Sequence, residues 1–180
     1  VVHTMNLAIN ATGTGGGHPN IAAAPFRYVN GATFRNINLT GTITRSDYPS
    51  DTNVSLGGLI GILWQGRSAT ITGCHSSVSI NYSFSWDSDG TPGATYFTTG
   101  HMGGFIGWSD GNATITDCLF DGTLAGRPLH EGGFVGYLCW GGITFNNCLM
   151  SGTSSANSTY KGNFFGRDNN GGAGSLNNCY

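Results

Sequence analysis

One short pattern is written several times over in this chain. GGFIGWSDGNATITDCLFDGT occupies residues 103–123, and GGFVGYLCWGGITFNNCLMSGT follows at residues 132–153. GGLIGILWQGRSATITGCHSSVS starts at Gly57, GNFFGRDNNGGAGSLNNCY at Gly162, and a worn copy, NGATFRNINLTGT, at Asn30. The first Gly of each block stands at 57, 103, 132 and 162, so the later units are 29 and 30 residues long. A fixed period of this length confines a chain to architectures in which one small unit stacks on the next.

The columns of the repeat say which architecture. Three residues before the Cys stand Phe34, Ile71, Ile115, Phe145 and Leu176, always large and apolar. The Cys column reads Ile37, Cys74, Cys118, Cys148 and Cys179, and two residues later come Leu39, Ser76, Phe120 and Met150. Immediately before the Cys stand Asn36, Gly73, Asp117, Asn147 and Asn178, the residue types that tolerate positive φ. Each unit therefore predicts a strand such as Thr114-Ile115-Thr116, a one-residue left-handed corner, and a strand such as Cys118-Leu119-Phe120. A third strand is predicted at the Gly-flanked pairs Phe105-Ile106 and Phe134-Val135, with another corner at the Gly-Thr of 122–123 and 152–153.

Three short strands per unit describe one coil of a parallel β-helix, and about five coils are expected. No segment repeats apolar residues at helical spacing over the needed length. Hairpin turns do not recur where a propeller blade would require them. The whole chain, 1–180, reads as a single all-β solenoid domain, with degenerate coils over 1–56 and clear repeats over 57–180. An insertion near 81–99 and a long connection from Arg45 to Ser55 are expected to project from it. The chain begins at Val1, which leads us to expect a processed product or an excised piece.

Composition narrows the partners. Only 9% of residues are charged and the net charge is −2, with seven basic residues scattered along the chain. That distribution offers no electrostatic footprint for nucleic acid. No apolar run approaches the roughly 20 residues of a membrane-spanning helix, so membrane insertion is not expected. With 31 Gly and abundant Asn, Ser and Thr, the chain has the composition of surfaces outside cells.

The repeat resembles the GLUG motif of bacterial and some eukaryotic surface proteins. The residues that carry the resemblance are Gly58-Leu59-Ile60-Gly61, Gly104-Phe105-Ile106-Gly107 and Gly133-Phe134-Val135-Gly136. Asn147-Cys148 and Asn178-Cys179-Tyr180 match its Asn-Cys-Tyr ending. Residues 57–180 fit well; over 21–56 the Gly-rich strand is replaced by Ala22-Ala23-Ala24, and Asn163 and Phe165 depart in the last copy. The resemblance implies a repetitive adhesin or cell-surface scaffold and attaches no catalytic residue or cofactor to the motif.

In a β-helix, equivalent positions stack at about 4.8 Å, which would place Cys74, Cys118, Cys148 and Cys179 in one core column. Free buried thiols acting as small hydrophobes are one reading; oxidation of adjacent pairs such as Cys118–Cys148 outside the cell is the other. Cys139 lies off the column, in a loop. The corner column Asn36, Asp117, Asn147 and Asn178 predicts an internal ladder of side-chain hydrogen bonds along the coils.

Other residues invite chemistry and mostly decline it. Asp117 and Asp121 lie four apart, and paired carboxylates can cleave glycosides, but each shares its column with Asn, Gly, Ser or Thr. His101 and His130 stand two residues before Gly-Gly and should stack, yet Ser55 and Tyr160 fill that column elsewhere, so no metal is expected. Asp87-Ser88-Asp89-Gly90 begins like a calcium loop but lacks the closing Glu. Trp64, Trp108, Tyr137 and Trp140 could line one edge as a platform for sugar rings. Six Asn-x-Ser/Thr sequons occur, and Asn53, Asn81, Asn112 and Asn157 are candidate N-glycosylation sites.

The functional expectation is a non-catalytic structural or adhesive repeat domain, extracellular or on a cell surface. A glycan-binding module is the alternative, and a polysaccharide lyase or hydrolase a remote one. The expected partners are copies of the chain, adjoining repeats or surface glycans. Successive apolar residues such as Phe134-Val135 and Phe164-Phe165 predict that one of each pair points outward, leaving an apolar stripe that seeks cover. Open coil ends add the expectation of end-to-end filaments.

Overall fold

The computed structural model describes residues 1–11, 21–45, 54–82, 100–169 and 173–180, and it is a parallel β-solenoid. Strand β1 is His3–Ala11. The first full coil comprises β2 (Ile21–Ala23), β3 (Phe26–Val29), β4 (Ala32–Arg35) and β5 (Ile37–Arg45). The second has β6 (Val54–Gly57), β7 (Ile60–Leu63), β8 (Ser68–Thr72), β9 (His75–Ser76) and β10 (Ser79–Tyr82). The third has β11 (His101–Gly103), β12 (Ile106–Ser109), β13 (Asn112–Thr116), β14 (Leu119–Phe120) and β15 (Thr123–Gly126). The fourth has β16 (His130–Gly132), β17 (Val135–Leu138), β18 (Gly142–Asn146), β19 (Leu149–Met150) and β20 (Thr153–Ser154). The last has β21 (Tyr160–Gly162), β22 (Phe165–Asp168) and β23 (Ala173–Asn177).

Stacked coil on coil, these strands make four parallel sheets. The entry face is β2-β6-β11-β16-β21, the second face β3-β7-β12-β17-β22 and the third β4-β8-β13-β18-β23. The closing face joins β5 to β9, β14 and β19 on one track and to β10, β15 and β20 on the other, with β1 on the outer edge of β5. The three expected strands are present, and each complete coil adds two more. Gly103 ends a strand of its own instead of flanking the next, and the chain resumes pairing after Gly122.

The corner column behaves as its residue types require. Asn36, Gly73, Asp117, Asn147 and Asn178 have φ of 55°, 61°, 53°, 52° and 51°, a left-handed turn that only such residues adopt at low cost. Beside it Phe34, Ile71, Ile115, Phe145 and Leu176 pair in unbroken register. All but Leu176, at the open end, are buried. Phenylalanines fill the centre: Phe134 stacks on Phe105 at 5.0 Å and on Phe164 at 5.2 Å, with nearly parallel rings.

Three expectations change. The outward apolar stripe does not form in the middle coils, because Phe105, Ile106, Phe134 and Val135 are all fully buried. The chain bends between the members of each pair. One carbonyl, that of Phe134, accepts from both Phe105 N–H (3.0 Å) and Ile106 N–H (2.9 Å), so the two side chains do not alternate as on a straight strand. The connection near 45–55 is shorter than expected: Arg45 ends β5, Val54 and Ser55 open β6, and all three are buried. The insertion starts later too, since Asn81 and Tyr82 belong to β10 and pair with Thr44 and Arg45. Residues 83–99 and 46–53, including Asn53 and the Asp87–Gly90 run, lie outside the described residues.

Candidate functional site

The Cys column sits in the core as expected. Cys74, Cys118 and Cys148 are buried, Cys179 is partly covered at the open end, and all four are free thiols. Each thiol is used as a polar group. Cys74 N–H donates to Cys118 Sγ and Cys148 N–H to Cys179 Sγ, both at 3.4 Å, while Cys118 Sγ donates to Thr116 O at 3.1 Å. Hydrogen bonds with the Cys148 and Cys74 thiols, reinforced by burial, push the Cys118 thiol up and hold it protonated.

The corner ladder exists, but on the outside. Asn147 Nδ2 donates to Asp117 Oδ1 at 3.0 Å, and Asn178 Nδ2 donates to Asn147 Oδ1 at 2.8 Å. Asn36, Asp117, Asn147 and Asn178 are all exposed, because a left-handed residue at a convex corner turns its side chain away from the core. Asp117 is thereby tied into a structural ladder. Asp121, the other acid weighed for catalysis, faces His75, with Oδ1 2.7 Å from Nε2 on the solvent side of the closing face.

The aromatic platform is split by burial. Trp108 and Tyr137 are 6% and 8% exposed, whereas Trp64 and Trp140 are 37% and 45% exposed. A row of four on one open edge therefore does not form. Leu63 and Leu138 enter the main core, while their neighbours Ile62, Trp108 and Tyr137 gather with Ala22 in a second, smaller apolar cluster, against which Cys139 packs.

That second cluster is closed by histidines from the entry face. His101 Nδ1 lies 2.8 Å from His130 Nδ1, and the two rings stack at 4.9 Å with both residues 3% exposed. His101 also meets Trp108 edge-on at 4.7 Å. His130 stacks on Tyr137 at 4.4 Å and on Tyr160 at 5.0 Å, and the Arg167 guanidinium covers the Tyr160 ring at 4.4 Å. Burial, helped by the nearby Arg167 charge, lowers the His130 pKa to about 4. Burial also raises Tyr137 to about 12, although Asn169 Nδ2 donates to its hydroxyl at 2.8 Å.

Glycine makes this wedge possible. A Cβ on Gly136 would stand 2.5 Å from Met102 N and 2.6 Å from Gly107 O, so the entry and second faces touch backbone to backbone there. Only where the faces diverge is there room for the histidine and aromatic rings. Sequence reasoning placed His101 and His130 in one column but missed that Trp108 and Tyr137 roof them. The signal was there in the third Gly of GGFIG and GGFVG, which removes the side chain between the faces.

Two charged groups are also inside. Glu131 follows Leu56 and Met102 in a core column and is 1% exposed. Its carboxylate accepts from Ser158 Oγ at 2.9 Å and lies 3.8 Å from Lys161 Nζ. Arg45 is 1% exposed at the end of β5. Among the described residues no three His, Cys, Asp or Glu side chains group as metal ligands. Of the sequon residues, Asn157 is exposed, Asn112 accepts the Gly142 N–H at 2.8 Å, and Asn81 is a half-buried strand residue, which corrects its expected place in a loop. No known protein family, characterised protein or solved structure matches the chain.

Proposed function

We propose that this chain is a non-catalytic structural and adhesive repeat domain of an extracellular or cell-surface protein. The observation that carries the reading is the continuity of its columns. The Phe34 column pairs without a break through all five coils, and the corner column is left-handed in every one of them. Such a body gains length by adding units rather than by elaborating a pocket, which is how a scaffold is built. The resemblance of the repeat to the GLUG motif supports the same reading. So does a chain that is 9% charged and rich in Gly, Asn, Ser and Thr. Outside a cell, exposed Asn157 is the sequon best placed to carry a glycan.

The experiment is surface labelling. An antibody against the folded domain should stain intact cells of the source organism without permeabilisation, and the antigen should be shaved off by added protease. Staining that requires permeabilisation would overturn the assignment.

A further inference from the structure

The third face turns its apolar residues inward and a different set of side chains outward. Ala69 and Ile71 of β8, Ala113 and Ile115 of β13, and Ile143 and Phe145 of β18 are buried. The residues that alternate with them emerge on the other side of the sheet. They form two columns in register, Thr33–Thr70–Thr114–Thr144–Ser175 and Arg35–Thr72–Thr116–Asn146–Asn177. The first column carries a hydroxyl at every step. In the three middle coils, β8 to β18, both columns are Thr apart from Asn146, so this stretch has neither a charge nor a ring. Composition alone does not produce that uniformity. On the closing face an outward column runs Asn38–His75–Leu119–Leu149, and Asp121 bonds His75 beside it.

These side chains make a grid with fixed steps. One coil, as from Thr70 to Thr114, is about 4.8 Å across the sheet, and two residues, as from Thr114 to Thr116, are about 6.6 Å along the strand. β8, β13 and β18 pair residue for residue, so no bulge breaks the pattern. Threonine also holds the grid still, because its branched Cβ restricts χ1. Hydrogen bonds along the columns add to this: Asn146 Nδ2 donates to Thr116 Oγ1 at 3.4 Å, and Ser175 Oγ to Thr144 Oγ1 at 3.2 Å. Each Thr presents a methyl beside its hydroxyl.

We propose that the third face binds ice. The partner that fits it is uncharged, rich in hydrogen-bonding groups, and periodic in two directions at once. Water oxygens on the prism face of hexagonal ice form a rectangular grid of nearly the same shape, slightly tighter across and slightly wider along. Hydroxyls in register take the places of lattice waters, and the methyls lie between them and require no hydrogen bond. Side chains already held in place lose little freedom on binding. Charge complementarity points the same way, since an ionic partner finds no counter-charge on the middle coils. A single glycan chain repeats in one direction only and favours exposed rings to stack on, and this grid has none. The function goes beyond that of a scaffold and does not depend on it.

Threonine is also a favourable strand residue, so the test must separate recognition from stability. Ice is grown in the presence of the 180-residue chain. Crystals should become faceted, recrystallisation should slow, and thermal hysteresis should rise with protein concentration. Thr114→Lys, at the centre of the grid, should abolish faceting. The control is Thr123→Lys, in the outward column Thr42–Ser79–Thr123–Thr153 of the closing face, which should leave ice growth as the parent chain shapes it. Circular dichroism checks that each variant is folded, and Thr144→Lys repeats the substitution one coil away should Thr114→Lys fail to fold. Unshaped crystals at the highest soluble concentration of the parent chain overturn the proposal, as does an equal loss in Thr123→Lys. Retention on crystalline cellulose or chitin that Thr114→Lys abolishes, with ice growth unaffected by the parent chain, overturns it in favour of a polysaccharide. Surface labelling reads location alone, so none of these outcomes decides the scaffold assignment.

Discussion

His101 and His130 face each other across 2.8 Å, Nδ1 to Nδ1, inside a wedge that leaves each residue only 3% exposed. One proton between the two Nδ1 atoms makes a hydrogen bond; a second would set two N–H donors against each other with no acceptor between them. Tyr137 and Tyr160 sandwich His130, and Arg167 adds a positive charge from the neighbouring face.

A pH dependence follows. His130 titrates near 4 in the folded chain against 6.5 unfolded, so between those values the unfolded chain binds the extra proton. Folding stability is then whole above about pH 6.5 and declines as pH falls towards 4, by about 3 kcal/mol for this group. Urea unfolding at a series of pH values should trace that fall, and His130→Phe, which keeps a ring in the stack, should flatten it. An unchanged slope in His130→Phe would remove His130 as the cause.

The corner ladder sets a second expectation. Asn147 has φ of 52° and exchanges side-chain hydrogen bonds with Asp117 and Asn178. Asn147→Ala pays the left-handed backbone cost and loses both bonds, about 1–2 kcal/mol in all. Asn147→Gly forfeits only the bonds and should cost less, as the natural Gly73 at an equivalent corner implies. Urea midpoints of the two variants give the comparison, and equal losses would mean that the backbone term is absent.

Gly136→Ala should be the harshest small substitution. The new methyl meets Met102 N and Gly107 O, main-chain atoms of two different strands that cannot turn aside. We expect a loss of about 3 kcal/mol or more, read as a lowered Tm or failure to fold. Gly31→Ala, at a corner with φ of 85° but with nothing near its Cβ, should cost less. The two together separate steric collision from backbone preference.

Much of the fold was legible because a repeated unit reports each position several times. Five residues at the corner column, none β-branched, identify a left-handed turn that one Asn alone would not. The column three residues earlier, always apolar, identifies the inward direction in the same way. What resisted reading was the second cluster. Trp108 and Tyr137 follow a glycine and look like loop aromatics, and their burial depends on two faces meeting across Gly107 and Gly136, contacts made between strands far apart in sequence. Buried Arg45 and Glu131 were illegible for a related reason, since charge reads as solvent-facing until its neighbours are known. The external course of the Asn ladder was also missed, because spacing along the chain does not say on which side of a corner a side chain emerges.

Repetition carries a hazard that Glu131 helps to remove. Units this alike could dock one rung out of step during folding, with β21 lying where β16 belongs and most of the columns still satisfied. Such a slip would set Lys161 beside Met102 and take Ser158 and Lys161 away from the Glu131 carboxylate. An unpaired buried carboxylate is among the most costly things a core can contain. The pair Glu131 and Lys161, in a column whose other members are apolar, thus acts as an address label, telling each turn of the solenoid which turn it is.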